Sequence, residues 1–107
     1  MSGLKHAESF RDLLVYQKAR ELQREVFLIS RAFPKDEKFS LSDQIRRSSR
    51  SIGANIAEAW AKRRYEAHFV SKLADADSEQ YETLHWIETA VECGYLDSQK
   101  VTALIDK

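Results

Sequence analysis

Apolar residues recur at helical spacing along almost the whole chain. Val15, Ala19, Leu22, Val26, Ile29 and Phe33 follow one another at steps of three, four or seven. At 100° per residue they fall within one narrow arc, the mark of an amphipathic helix from about Arg11 to Phe33. Pro34 ends it, because proline disfavours helical geometry at the residue before it. After the loop PKDEKF, Leu41, Ile45, Ser48, Ile52, Ile56 and Ala59 form a second stripe. Ser40 is the expected N-cap there, with Asp43 three residues on as a variant capping box. After Gly53, which lies inside this stripe's helix, no Gly or Pro occurs before Gly94 to mark where the helix ends. An unbroken helix of roughly 50 residues would be exceptional in a globular domain, so the sequence predicts a tight break near Arg63–Glu66.

A third stripe, Phe69, Leu73, Ala76, Gln80, Leu84, Ile87 and Val91, runs to about Cys93. Gly94 then suits the left-handed position after a helix, with Tyr95 and Leu96 packing back. Asp97 or Ser98 caps a short fourth helix containing Val101, Leu104 and Ile105. Long amphipathic helices joined by short loops read as an all-α, antiparallel up-down-up-down four-helix bundle with a short fourth helix. The 107 residues make one domain, with residues 1–9 expected to be loosely attached.

The helix backs carry a second pattern. On the second helix Gly53, Ala57 and Ala61 lie four residues apart, with Ala54 beside them and Trp60 at the border. Such a ridge lets another helix approach closely, and glycine in a helix interior costs up to about 1 kcal/mol unless something needs it. The expectation is that a second subunit covers this face. Tyr16, Arg20, Arg24, Phe27 and Arg31 form a basic, aromatic stripe on the back of the first helix. Arg46, Arg47 and Arg50 lie outside the second, and Asp75, Glu79 and Glu82 gather near Trp86 on the third.

Charge sharpens this picture. The net charge is zero, yet residues 41–64 hold 6 basic and 2 acidic groups while residues 65–107 hold 3 and 9. Opposed surfaces favour a heterologous contact between copies, which can close into a ring. The first functional reading is therefore a non-enzymatic, homo-oligomeric scaffold whose interface holds Tyr16, Phe27, Gly53, Ala57, Trp60, Ala61, Asp75, Glu79, Glu82 and Trp86. The alternative is an RNA-binding or ribonucleoprotein accessory. Arginine interleaved with aromatics meets phosphates and stacks on bases, and Arg20, Arg24, Arg31, Arg46, Arg47, Arg50, Arg63 and Arg64 are its candidate contacts.

Catalytic chemistry has little to work with. Glu82 and His85 have the spacing of a di-iron bundle motif, but the pair points away from the core and has no counterpart. His6, His68 and His85 form no helical metal pair, and no phosphate loop or nucleophile motif is present. No metal, cofactor or catalytic residue is assigned. Asn55, Glu58 and Lys62 line one flank of the second helix. Glu58 and Lys62 form an i, i+4 pair in the favourable order, and Asn55 is expected to bond across to a neighbouring element. Asp77 is expected to face Arg63 in a structural ion pair. The lone Cys93 fits a reducing cytoplasm, and no run of about 18 apolar residues spans a membrane.

Phe10-x-Asp12-Leu13, Ala19, Phe33-Pro34, Leu41-x-x-Gln44-Ile45-Arg46-Arg47 and Ser51-Ile52-x-Ala54-Asn55-Ile56-Ala57-Glu58 together resemble the four-helix bundle proteins of the 23S rRNA intervening-sequence type. Ser78-x-x-x-Glu82-Thr83 and Gly94-Tyr95-Leu96 continue the likeness over nearly the whole chain. The resemblance implies an up-down-up-down bundle assembled as a ring-shaped homopentamer. It also implies RNA or a reverse transcriptase as partners, since a related branch serves diversity-generating retroelements. Asn55 and Glu58 are the residues of its central motif. The chain departs from the family in having Ala59 where Gly is common, and in the shortness of its fourth helix.

Overall fold

A computed structural model describes residues 7–105 and contains four helices and no strand among them. They are α1 (Leu14–Ser30), α2 (Asp43–Ala61), α3 (Glu66–Glu92) and α4 (Ser98–Ile105). The 27 residues of α3, about 40 Å at 1.5 Å per residue, set the 44 Å long axis of the molecule. The all-α fold of packed helices expected from the sequence is present.

The boundaries of α1 and α2 differ from the sequence expectation for local reasons. A separate 3-10 turn, Phe10–Asp12, precedes α1. Ser9 caps it, accepting from the Arg11 amide, while Asp12 accepts from the Glu8 and Ser9 amides. The Glu8 and Ser9 amides are thus engaged; residues 1–6 lie outside the described residues. α2 is entered through a π-helical turn, Lys38–Ser42. Ser40 does not cap α2, because its hydroxyl donates to Glu37 Oε1 at 2.7 Å.

The other two boundaries follow the sequence. The α2–α3 break falls at residues 62–65, where Tyr65 N–H donates to the Lys62 carbonyl at 2.8 Å. Gly94 ends α3 with φ +80°, and the Tyr95 amide reaches back to the Ala90 carbonyl at 2.8 Å. Only glycine enters that conformation freely. Asp97 then caps α4 by accepting from the Lys100 amide at 2.8 Å.

Helix α2 is the centre of the bundle. Its contacts with α3 run in opposite order along the two helices, Arg47 meeting Glu82 and Glu58 meeting Lys72, so the pair is antiparallel. The lower core joins Val26, Phe33, Leu41, Ile45, Ile87, Ala90, Leu96 and Leu104. A smaller cluster above it joins Ala19, Ile52, Ile56 and Ala76. The side chain of Ile105, placed on the fourth helix from sequence, lies outside the described residues. Because α4 is about 12 Å long, it covers only the lower end of the gap between α1 and α3. Above Leu104 a groove of about 560 Å³ stays open, floored by Ile52 and Ile56 and flanked by Val15, Leu22, Leu73 and Leu84. Val15, expected in the core, is 49% exposed there.

Candidate nucleic-acid interface

The side chains singled out from the sequence separate into groups that the bundle holds together and groups that it pairs off internally. Gly53 belongs to the second kind. A Cβ built on it would sit 3.5 Å from Tyr16 Cε1 and 3.9 Å from Ala19 Cβ, both on α1 of the same chain. The inner side of the small-residue ridge is therefore covered by α1, and no second subunit is needed to explain Gly53 or Tyr16. Sequence periodicity does not reveal this, because it fixes a face and not the neighbour. Ala57 is half-buried, and Ala54 and Ala61 are exposed.

The acidic face of α3 is likewise engaged within the chain. Arg47 Nη2 lies 2.7 Å from Glu82 Oε2, and Arg47 Nη1 lies 3.8 Å from Glu79 Oε2. Trp86 Nε1 also donates to Glu82 Oε2, at 3.2 Å. Trp86, expected to point outward, is half-buried against the lower core. Asp75 sits 3.9 Å from Lys72 one turn away. Arg47, a candidate phosphate contact, is held by α3 instead.

Three flank expectations are corrected. Asn55 bonds within its own helix, Nδ2 donating to the Ser51 carbonyl at 2.9 Å. Glu58 pairs with Lys72 of α3 at 3.5 Å rather than with Lys62. Asp77 is exposed on the lip of the groove, and Arg63 turns back onto Trp60. His6 lies outside the described residues; His68 rests edge-on against Tyr65 and His85 against Trp86.

The remaining arginines converge. Phe27, 41% exposed, stands on the outer side of the α1–α2 seam. The guanidinium carbons of Arg46, Arg31 and Arg50 lie 5.2, 5.9 and 6.0 Å from its ring centroid. Arg46 is fixed there by Ser30. Its Nε donates to Ser30 Oγ at 2.7 Å, and that hydroxyl donates to the Phe27 carbonyl at 3.0 Å. Ser30 is only 2% exposed. The cluster is thus held in place by a buried hydroxyl, a residue that charge pattern alone did not single out.

None of these three arginines is in an ion pair among the described residues. Arg46 and Arg50, with Arg47, Ser51, Ala54 and Asp43, line an open recess of about 440 Å³ on the outside of α2. Arg20 and Arg24 continue the stripe along α1 and are exposed. At the far end of α2, the Arg63 guanidinium stacks 4.2 Å from the Trp60 ring centroid and donates to the Trp60 carbonyl at 2.9 Å. Arg64 and Tyr65 are exposed beside it. Concentrated positive charge next to an aromatic ring attracts phosphate and offers a surface for a base.

A family model described as 23S rRNA-intervening sequence protein matches residues 11–107. The chain belongs to this family. Searches of curated proteins and of solved structures return no match. Within the family motif Ile52 and Ile56 are buried, as is Ala59 just after it. Asn55 and Glu58 face the α3 side of the same helix, Glu58 joined to Lys72. The motif thus builds the contacts of α2, whereas the arginine cluster stands on its outer face.

Proposed function

We propose that the protein is a non-enzymatic RNA-binding bundle that holds its ligand on the outer arginine face of α1 and α2. The observation that carries this reading is the Phe27 cluster: three guanidinium groups around one exposed ring, one of them anchored by Ser30, with no carboxylate paired to any of them among the described residues. Gathering like charges costs free energy in the free protein, and a polyanion relieves that cost. The family description refers to 23S rRNA, which puts RNA first among polyanions.

The test is RNA binding as a function of salt, using an RNA with both a hairpin stem and a single-stranded tail. Affinity should fall steeply between 50 and 200 mM salt, with a log–log slope of about −0.7 to −0.9 per phosphate contact. Changing Arg31, Arg46 and Arg50 together to Gln should reduce the magnitude of that slope by about 2 to 3. An unchanged slope and affinity in a folded triple variant would remove the cluster from RNA binding.

A second reading, assembly with copies of itself into the ring that the family resemblance implies, is favoured by the exposure of Leu14, Val15, Leu28, Val70 and Tyr81. Exposed apolar surface of this kind often marks a contact site. Light scattering that finds a monomer at micromolar concentration and physiological salt would exclude it.

A further inference from the structure

The RNA-binding face has a stacking element at each end. Arg46, Gly53 and Trp60 lie seven residues apart and therefore share one stripe of α2, the stripe nearest α1. The Phe27 cluster stands at the Arg46 end and the Arg63–Trp60 stack at the other. Fourteen residues separate Arg46 from Trp60, about 21 Å of helix.

Between the two ends the seam is lined from α1 by Arg20, Arg24 and the half-buried Tyr16, whose ring lies over Gly53 and against Phe10 of the preceding turn; on α2 the neighbouring position is Ala57, too small to block a chain lying outside them. Two carboxylates of α2 flank this path. Glu58 is turned to α3 by Lys72, and Asp43 lines the recess beside Arg46.

We propose that the ligand of this face is single-stranded RNA, lying along the α1–α2 seam with bases stacked at Phe27 and on the Trp60–Arg63 pair and phosphates on the intervening arginines. The proposal rests on the RNA-binding reading above. It goes further because aromatic rings and guanidinium planes engage the faces of bases, and in a duplex those faces are already stacked and out of reach. The arginines alone would serve either form. The two aromatic ends select the single strand. The path has room for about six nucleotides, taking about 3.4 Å per nucleotide of a stacked strand.

The experiment compares a fluorescein-labelled unstructured 12-nucleotide RNA with a 12-base-pair duplex of the same sequence, by anisotropy on the full chain at 50 and 200 mM salt. The single strand should bind about tenfold more tightly. Phe27→Leu should weaken it about tenfold while leaving the salt slope intact, because a base contact is lost and no phosphate contact. In a Trp86→Phe background Trp60 is the sole tryptophan, as the chain has two. Its fluorescence should be quenched by the single strand and not by the duplex. That readout stands even if Phe27→Leu fails to fold. Equal or tighter duplex binding, or an unquenched Trp60, would overturn the single-strand assignment and leave RNA binding in place. Failure of both RNAs to bind would overturn both.

Discussion

Helix α2 faces α3 across a closed seam, whereas α1 and α3 face each other across an open one. The closed seam has every kind of contact. Ile45 and Ile87 are nearly inaccessible, Thr83 Oγ1 donates to Ser48 Oγ at 2.9 Å in the interior, and Arg47 and Lys72 tie the rims. The open seam uses the same residue types at the same spacing. Yet Val15 and Tyr81 on its lips are 49% and 68% exposed, and residues 98–105 of α4 lie only against its lower end. The difference teaches that an amphipathic stripe dictates which way side chains turn. It does not dictate whether anything arrives to cover them.

The largest effect should come from truncation on the closed side. Ile45→Ala empties a site with no accessible surface, and deletions of this kind cost about 2–5 kcal/mol. Leu73→Ala, in the half-buried wall of the groove, should cost about 1 kcal/mol, since its methyl groups already meet water. Urea unfolding of both variants, with equal m-values, checks the contrast. Equal losses would break it and mean that the groove is covered in solution. The groove and the oligomer reading are therefore tested by one measurement, repeated at low and high protein concentration.

Next in size is the polar link across the closed seam. Thr83→Val removes a hydroxyl whose single proton is shared between Ser48 Oγ and the Glu79 carbonyl and should cost about 1–2 kcal/mol. Ser48 keeps its bond to the Ile45 carbonyl at 3.3 Å, which limits the loss. A neutral substitution would show that the seam is held by apolar packing alone.

The four helices, the break at residues 62–65 and the Gly94 stop were legible because each rests on local chemistry: periodicity, the length limit of a helix and a left-handed glycine. The capping box at Ser9 and Asp12 has an equally local signal, a serine three residues before an acid. Helical periodicity does not point to it, because it caps a three-residue turn rather than a helix. What the sequence could not show was partner choice. Gly53 suggests a close neighbour, expected from sequence to be a second subunit; the side chains beside it are Tyr16 and Ala19 of α1 in the same chain. Arg47 and Arg46 stand next to each other in a basic run, and only the angle of the helix sends one to Glu82 and the other to Ser30 and Phe27. Candidate arginines could be named from composition; which of them stay free for a ligand is decided by tertiary contacts.

Gly53 also gives a smaller, favourable effect. A Cβ there meets Tyr16 at ordinary van der Waals distance, 3.5 Å. Gly53→Ala should therefore keep the α1–α2 seam and stabilise the helix, by up to about 1 kcal/mol. Thermal melts of dilute protein measure it. Destabilisation would mean that something besides Tyr16 presses on this position, and would revive the case for a second subunit on the inner ridge.

The smallest effect lies at the closed end of the molecule, opposite the groove. Tyr95 Oη donates to Glu37 Oε2 at 2.8 Å, pinning the α3–α4 turn to the loop before α2. That bond, with burial behind it, pushes the phenol up from its ordinary 10.0 to about 12. Ser40 and Tyr95 in turn hold Glu37 below its ordinary value. A raised phenol favours the folded state at every pH below about 10, and its contribution disappears as pH climbs through about 12. The lowered carboxylate contributes above its ordinary 4.5 and is lost as pH falls beneath it. Tyr95→Phe should thus lower the melting temperature slightly at neutral pH and flatten its decline between pH 10 and 12 relative to the parent. Parallel curves over that range would show that the turn is held by Phe33, whose ring lies 5.8 Å from that of Tyr95, and by the apolar lower core.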